Sequence, residues 1–143
     1  MSQEQMKEAF RMVIEAAYGA GKVDILDDLF APDFVEHQAD ITPPTLAGVK
    51  RSIAYLRNAF PDMNYTIEAM HTDGDRLWAR LSARGTQWGT FAGAPPTGKP
   101  IAITVMDECR FKDGKIVEHW GVADRLAALA QIGALPVPAQ SKS

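Results

Sequence analysis

Cysteine is almost missing from this chain of 143 residues: Cys109 is the only one. No disulfide can close within it, and nothing in its thiol content calls for an oxidising compartment. Basic clusters are missing as well. The formal charge is −3 and no Lys/Arg run exceeds two adjacent residues, which argues against nucleic acid or an anionic membrane as a partner. No apolar run approaches the roughly 18 residues of a membrane span. The start, "MSQEQMKEAFRMVIEAAY", carries acids throughout and lacks the basic head, apolar centre and cleavage site of a signal peptide. Phosphate-binding glycine loops are absent: "GKP" at 98–100 lacks the P-loop spacing, and GxGxxG does not occur. The three histidines, His37, His71 and His119, form no HxH, HxxxH or Cys/His cluster, so no metal centre is expected. With 46% apolar and 23% charged residues, the expectation is a soluble, cytoplasmic protein with one buried core.

The first half of the chain reads as helical. Ser2, followed by Glu4 and Gln5, marks a capped start, and Met6, Phe10, Val13, Ile14 and Ala17 recur at helical spacing until Gly19 and Gly21. A shorter helix over 23–29 stops at Pro32, "DFVEHQ" reads as a strand, and a third helix runs from about 48 to 60. The period then changes to two. Strands flank "DGD" at 73–75, "AGAPPTGKP" forms a turn-rich loop, and a second hairpin turns at Asp113-Gly114. A short Leu/Ala helix over 124–132 ends at Gly133. Helices followed by an antiparallel meander make an α+β fold: a curved sheet covered by helices, cone-shaped, with an apolar cavity inside. One domain over 1–135 and a flexible tail over 136–143, "PVPAQSKS", complete the expected organisation.

Strand alternation sorts the polar residues by face. Ile101, Ile103, Val105, Asp107, Cys109 and Phe111 share a face that is apolar except for Asp107. A carboxylate there is either paired with an arginine or turned into an acid or base by desolvation. In "KIVEHWGVAD", Ile116, Glu118 and Trp120 share one face, and Val117 and His119 the other. Either face could be interior. Asp124 stands at the rim or caps the last helix, and composition favours the cap. His37 reads first as a satisfied rim residue. Trp78, Trp88, Phe91 and Tyr55 supply aromatic surface for a flat ligand or for the core.

The segments "GTFAGAPPTGKPI", "MDECRFKDGKIVEHWGVADRLAALAQIG" and, more loosely, "LFAPDFVEHQ" resemble the SnoaL-like polyketide (ester) cyclases of the nuclear-transport-factor-2-like superfamily. The resemblance spans about residues 5–135. It implies a cone around a deep apolar cavity, commonly dimerised through the outer face of the sheet, and aldol ring closure without metal or organic cofactor. It also implies that the aspartate of the W-x-x-x-D spacing, Asp124 after Trp120, is the general acid/base. Around it, the expected helpers are His37 and His119 as donors or orienters and Asp107 as their partner. Trp88, Phe91 and Trp120 would stack on the substrate rings, with Glu118 and Tyr55 beside them. An isomerase, dehydratase or epoxide hydrolase on the same scaffold, or a binder of small molecules without chemistry, are the other readings.

Overall fold

The computed structural model describes residues 1–135, so the expected tail at 136–143 lies outside the described residues. Helix α1, Gln3–Met12, opens on a reciprocal cap. The Gln5 amide N–H donates to Ser2 Oγ (3.1 Å), and the Ser2 N–H donates to Gln5 Oε1 (2.8 Å). Its stripe of Met6, Ala9 and Phe10 is buried. The helix then widens into a π-turn over Val13–Tyr18, closed by the Gly19 N–H donating to the Ile14 carbonyl at 2.8 Å. A 3₁₀ turn at Val23–Ile25 leads into α2, Leu26–Leu29, and strand β1 follows at Phe30–Glu36. Helix α3 spans Leu46–Ala59. Gly48 on α3 lets the preceding loop approach closely, since a Cβ there would lie 1.8 Å from the Pro43 carbonyl oxygen.

The remaining chain is sheet: β2 (Asn64–Asp73), β3 (Arg76–Thr86), β4 (Pro100–Lys112) and β5 (Lys115–Ala123), followed by α4 (Arg125–Gln131). The β4–β5 hairpin turns at Asp113-Gly114 with φ of 51° and 77°, the left-handed pair that a two-residue turn requires. Between β3 and β4, the buried Gln87 ties the loop together. Its Nε2 donates to the Ala94 and Pro95 carbonyls (3.1 Å each), and its Oε1 accepts from Thr97 Oγ1 (2.6 Å).

The strand order is β1-β5-β4-β3-β2. Strands β2 to β5 form the expected antiparallel meander, but β1 joins β5 in parallel. Glu36 is thereby set beside His119. The alternation expected for β5 also needs correcting. Arg110 pairs with Glu118 but Phe111 pairs with Ile116, so Val117 is an extra, bulged residue. The bulge flips the face count, and Ile116 (fully buried) turns inward with His119 rather than outward with Glu118 and Trp120. The sheet curls without closing, and its inner side packs with α1 and α3 around Phe10, Ile14, Val49, Ile53, Leu81 and Ile116. The result is the cone anticipated from the order of elements.

Candidate active site

The inside of the cone holds a cavity of about 500 Å³. Most of its wall is apolar, contributed by Phe10, Val13, Ile14, Leu81, Ile103 and Val105 among others. Three neighbouring strands place ionisable groups on the sheet wall. Glu36 ends β1 opposite His119 of β5, and Asp107 of β4 stands opposite Gly121, two residues further along β5. The side chains meet as a chain of hydrogen bonds. His119 Nδ1 lies 2.6 Å from Glu36 Oε1 and 2.8 Å from Oε2, and His119 Nε2 lies 2.7 Å from Asp107 Oδ1.

Gly121 makes this arrangement possible. A Cβ there would fall 2.8 Å from both Asp107 Oδ1 and His119 Cε1, and 2.4 Å from Gln38 Oε1. Both imidazole nitrogens face carboxylates, so two good hydrogen bonds need a proton on each side of the ring. Burial disfavours the charged ring, but the hydrogen bonds to Asp107 and Glu36, with their charges, prevail and hold the His119 pKa up at about 10. At neutral pH the ring is an imidazolium. It has no free lone pair for a metal, and among the described residues no group of three or more His, Cys, Asp or Glu is arranged to hold one.

The three groups differ in what they leave open. The Glu36 side chain is fully buried, with both oxygens turned to His119. His119 has both nitrogens engaged. Asp107 uses Oδ1 alone, and no buried side-chain polar atom lacks a partner among the described residues. Its Oδ2 is therefore not sealed off, and Asp107 lines the cavity.

The other residues singled out in the sequence fall into three places. Tyr55 and Phe91 line the cavity, and the Tyr55 hydroxyl accepts from the Ala92 N–H at 2.6 Å. His37, Glu118 and Trp120 lie on the opposite face of the sheet. There His37 Nε2 meets Glu118 Oε2 at 2.8 Å and its ring stacks on Trp120 with centroids 4.7 Å apart. Hydrogen bonds from His37 and then Arg110 hold the Glu118 carboxyl below its usual range. Trp88 is 60% exposed on the loop after β3, against Gly98. Asp124 is exposed and caps α4, its Oδ1 accepting from the Ala127 N–H at 3.1 Å. The residues on either side of it, Ala123 and Arg125, line the cavity, but Asp124 does not. Strand β5 ends one residue earlier, and the helix that follows draws the carboxylate to its own N-terminus.

Sequence reasoning passed over Glu36, although "FVEH" carried a signal. With Phe34 inward, period two puts Glu36 inward and His37 outward. Gly121 was likewise passed over, because a missing side chain leaves no mark on a face pattern.

A curled α+β cone whose apolar cavity holds a carboxylate–imidazolium–carboxylate row defines the class. A sequence profile described as SnoaL-like polyketide cyclase matches residues 7–132, and the chain belongs to that family. Among solved structures, IdmH from Streptomyces antibioticus, a proposed polyketide cyclase, superposes with a TM-score of 0.77 at 34% identity, covering 89% of this chain and 97% of its own. AclR from Streptomyces galilaeus, a proposed hydroxylase, gives 0.82 at 28% identity over 96% of this chain and 85% of its own. TsrD from Streptomyces laurentii gives 0.86 at 24% identity over 94% and 99%, which shows the shared fold. A comparison with curated proteins returns no significant match.

Proposed function

We propose that this protein is a cofactor-independent cyclase that closes a ring by intramolecular aldol addition in a polyketide-like substrate with an enolisable carbonyl. The carrying observation is the single open carboxylate oxygen, Asp107 Oδ2, at the wall of an apolar cavity with its partner oxygen anchored on His119. Asp107 takes a proton from the carbon beside the carbonyl, and the enolate carbon attacks a second carbonyl carbon of the same molecule. One C–C bond forms, the attacked C=O becomes an alkoxide, and Asp107 returns the proton to it. Substrate and product are isomers, so no water or electron is exchanged. His119 and Glu36 orient the base and balance its changing charge without touching the substrate. Asp124, as a cap outside the cavity, has no part in the proton transfer under this reading.

Proton abstraction is measurable without the natural substrate. The exchange of the α-protons of 2-tetralone for deuterium in D₂O, followed by ¹H NMR, reports it directly. The protein accelerates exchange over buffer, and Asp107→Asn loses roughly two to four orders of magnitude of that acceleration. Full exchange by Asp107→Asn, or its loss in Asp124→Asn, overturns the assignment.

A further inference from the structure

A base in an apolar cavity does half the work: the negative charge it creates on the substrate oxygen also needs a hydrogen-bond donor. The three ionisable groups on the sheet wall cannot supply one. Both N–H groups of His119 are committed, and Asp107 and Glu36 are acceptors. Two phenols on the cavity wall have no such commitment. Tyr18 and Tyr65 both line it, packed edge to face with ring centroids 5.7 Å apart and planes at 74°. Neither hydroxyl has a hydrogen-bond partner among the described residues, and none is a sealed-off orphan. Both O–H groups are therefore accessible on residues that line the cavity, and neither is spent on Asp107 or Glu36.

The electrostatics keep them as donors. Burial, then the charges of Asp107 and Glu36, push the Tyr18 pKa well above its ordinary value. Burial outweighs the opposing charge of Arg57 and lifts Tyr65 to about 12. Both stay protonated wherever Asp107 works as a base. Tyr18, Asp107 and Glu36 line the same cavity.

The backbone of Tyr18 is also held in place. It ends the π-turn that widens α1, a device found often at functional sites. The Arg57 guanidinium donates to its carbonyl (3.4 Å) and to that of Gly19 (2.9 Å).

We infer that Tyr18 is a catalytic residue, donating its phenolic hydrogen bond to the oxygen of the enolate formed at Asp107, with Tyr65 as the adjoining second donor. This rests on the reading of Asp107 as the base. It narrows the substrate to ketones that can set a carbonyl oxygen against Tyr18 while the neighbouring C–H reaches Asp107. No bond breaks at Tyr18; its O–H stays intact and its hydrogen bond strengthens as charge develops.

The test compares wild type, Tyr18→Phe and Asp107→Asn in two assays. The first is the 2-tetralone exchange described above, with the Kd of 2-tetralone measured alongside. The second is the ionisation of bound 2-naphthol, a stable mimic of an enol, read from its fluorescence, which distinguishes naphthol from naphtholate. Tyr18→Phe loses no hydrogen bond present in the free protein and keeps the ring, so its fold is preserved. The expected result is an exchange rate lower by about 10²–10³-fold, a Kd changed less than tenfold, and an apparent pKa of bound naphthol raised by one unit or more.

Unchanged exchange in Tyr18→Phe beside an inactive Asp107→Asn overturns the role of Tyr18 and leaves the base standing. If wild type gives no exchange at all, the acid–base reading falls, and the naphthol assay decides Tyr18 alone. An unmoved naphthol pKa in Tyr18→Phe overturns the donor.

Discussion

Raising the pH from 7 to 8.5 should weaken this protein in a way that reports on His119. Its pKa is about 10 in the folded chain, against about 6.5 in an unfolded one. Below pH 6.5 both states hold the proton, and the stabilisation from the Glu36–His119–Asp107 row is fully present. Above that, the unfolded ring has lost its proton while the native ring keeps it, so unfolding releases one proton. Stability then falls by roughly 1.4 kcal/mol per pH unit until the native ring titrates.

Between pH 7 and 8.5 that amounts to about 2 kcal/mol, or a fall in Tm of roughly 4–8 °C for a chain of this size. The window avoids Tyr18 and meets Cys109 only at its upper end. Burial raises both of their pKa values, so each adds a loss of the same sign once its unfolded counterpart titrates, at about 8.5 for the thiol and about 10 for the phenol. Urea unfolding at several pH values gives the slope, and the Cε1–H signal of His119 gives the titration directly. The counterpart is Glu36→Gln, which removes one of the two anions facing the ring. It should flatten the slope and move the NMR midpoint down. A wild-type slope near zero across the window, or a His119 midpoint below 7, refutes the claim that both carboxylates hold the ring as a cation.

Gly121→Ala places a methyl carbon 2.8 Å from Asp107 Oδ1 and from His119 Cε1. Its expected effect is a destabilisation of about 1–3 kcal/mol, with a lowered His119 pKa and lost 2-tetralone exchange, seen by urea unfolding and NMR together. Asp124→Ala removes the cap on α4 and should cost about 1 kcal/mol, whereas Asp124→Asn should cost only a few tenths. Exchange rates of both Asp124 variants should stay at wild-type level; a hundredfold fall in the folded Asp124→Asn protein would return that residue to the chemistry.

Local signals were legible and long-range ones were not. The cap at Ser2, the turns at 74–75 and 113–114, and the lone carboxylate on the inner face of β4 all depend on residues close in sequence, where period and propensity speak. Asp107 stood out because everything two residues away on either side is apolar. The partnership of Glu36 with His119 depends on β1 lying parallel to β5, a pairing across more than half the chain that no local pattern encodes. The bulge at Val117 defeated the face assignment of β5, since one extra residue inverts a period-two count. At Asp124 two local signals pointed in different directions. Its cap role was legible in "ADRLAALAQIG", and the W-x-x-x-D spacing drew attention away from it. Tyr18 carried no local signal: it stands at the end of the first helical segment, which the π-turn widens.

The cavity has two kinds of wall, and they come from separable parts of the chain. The polar row is borne by β1, β5 and β4, three adjacent strands at one side of the sheet whose register fixes it. The opposite wall comes from α1, α3 and the loop at 87–99, whose residues form none of the sheet's strand pairing. Such a division would let the shape of the cavity change while the ionisable row stays in place. Redesigning this protein for a different ring system would begin at Phe10, Ile14, Tyr55 and Phe91 and leave the sheet untouched.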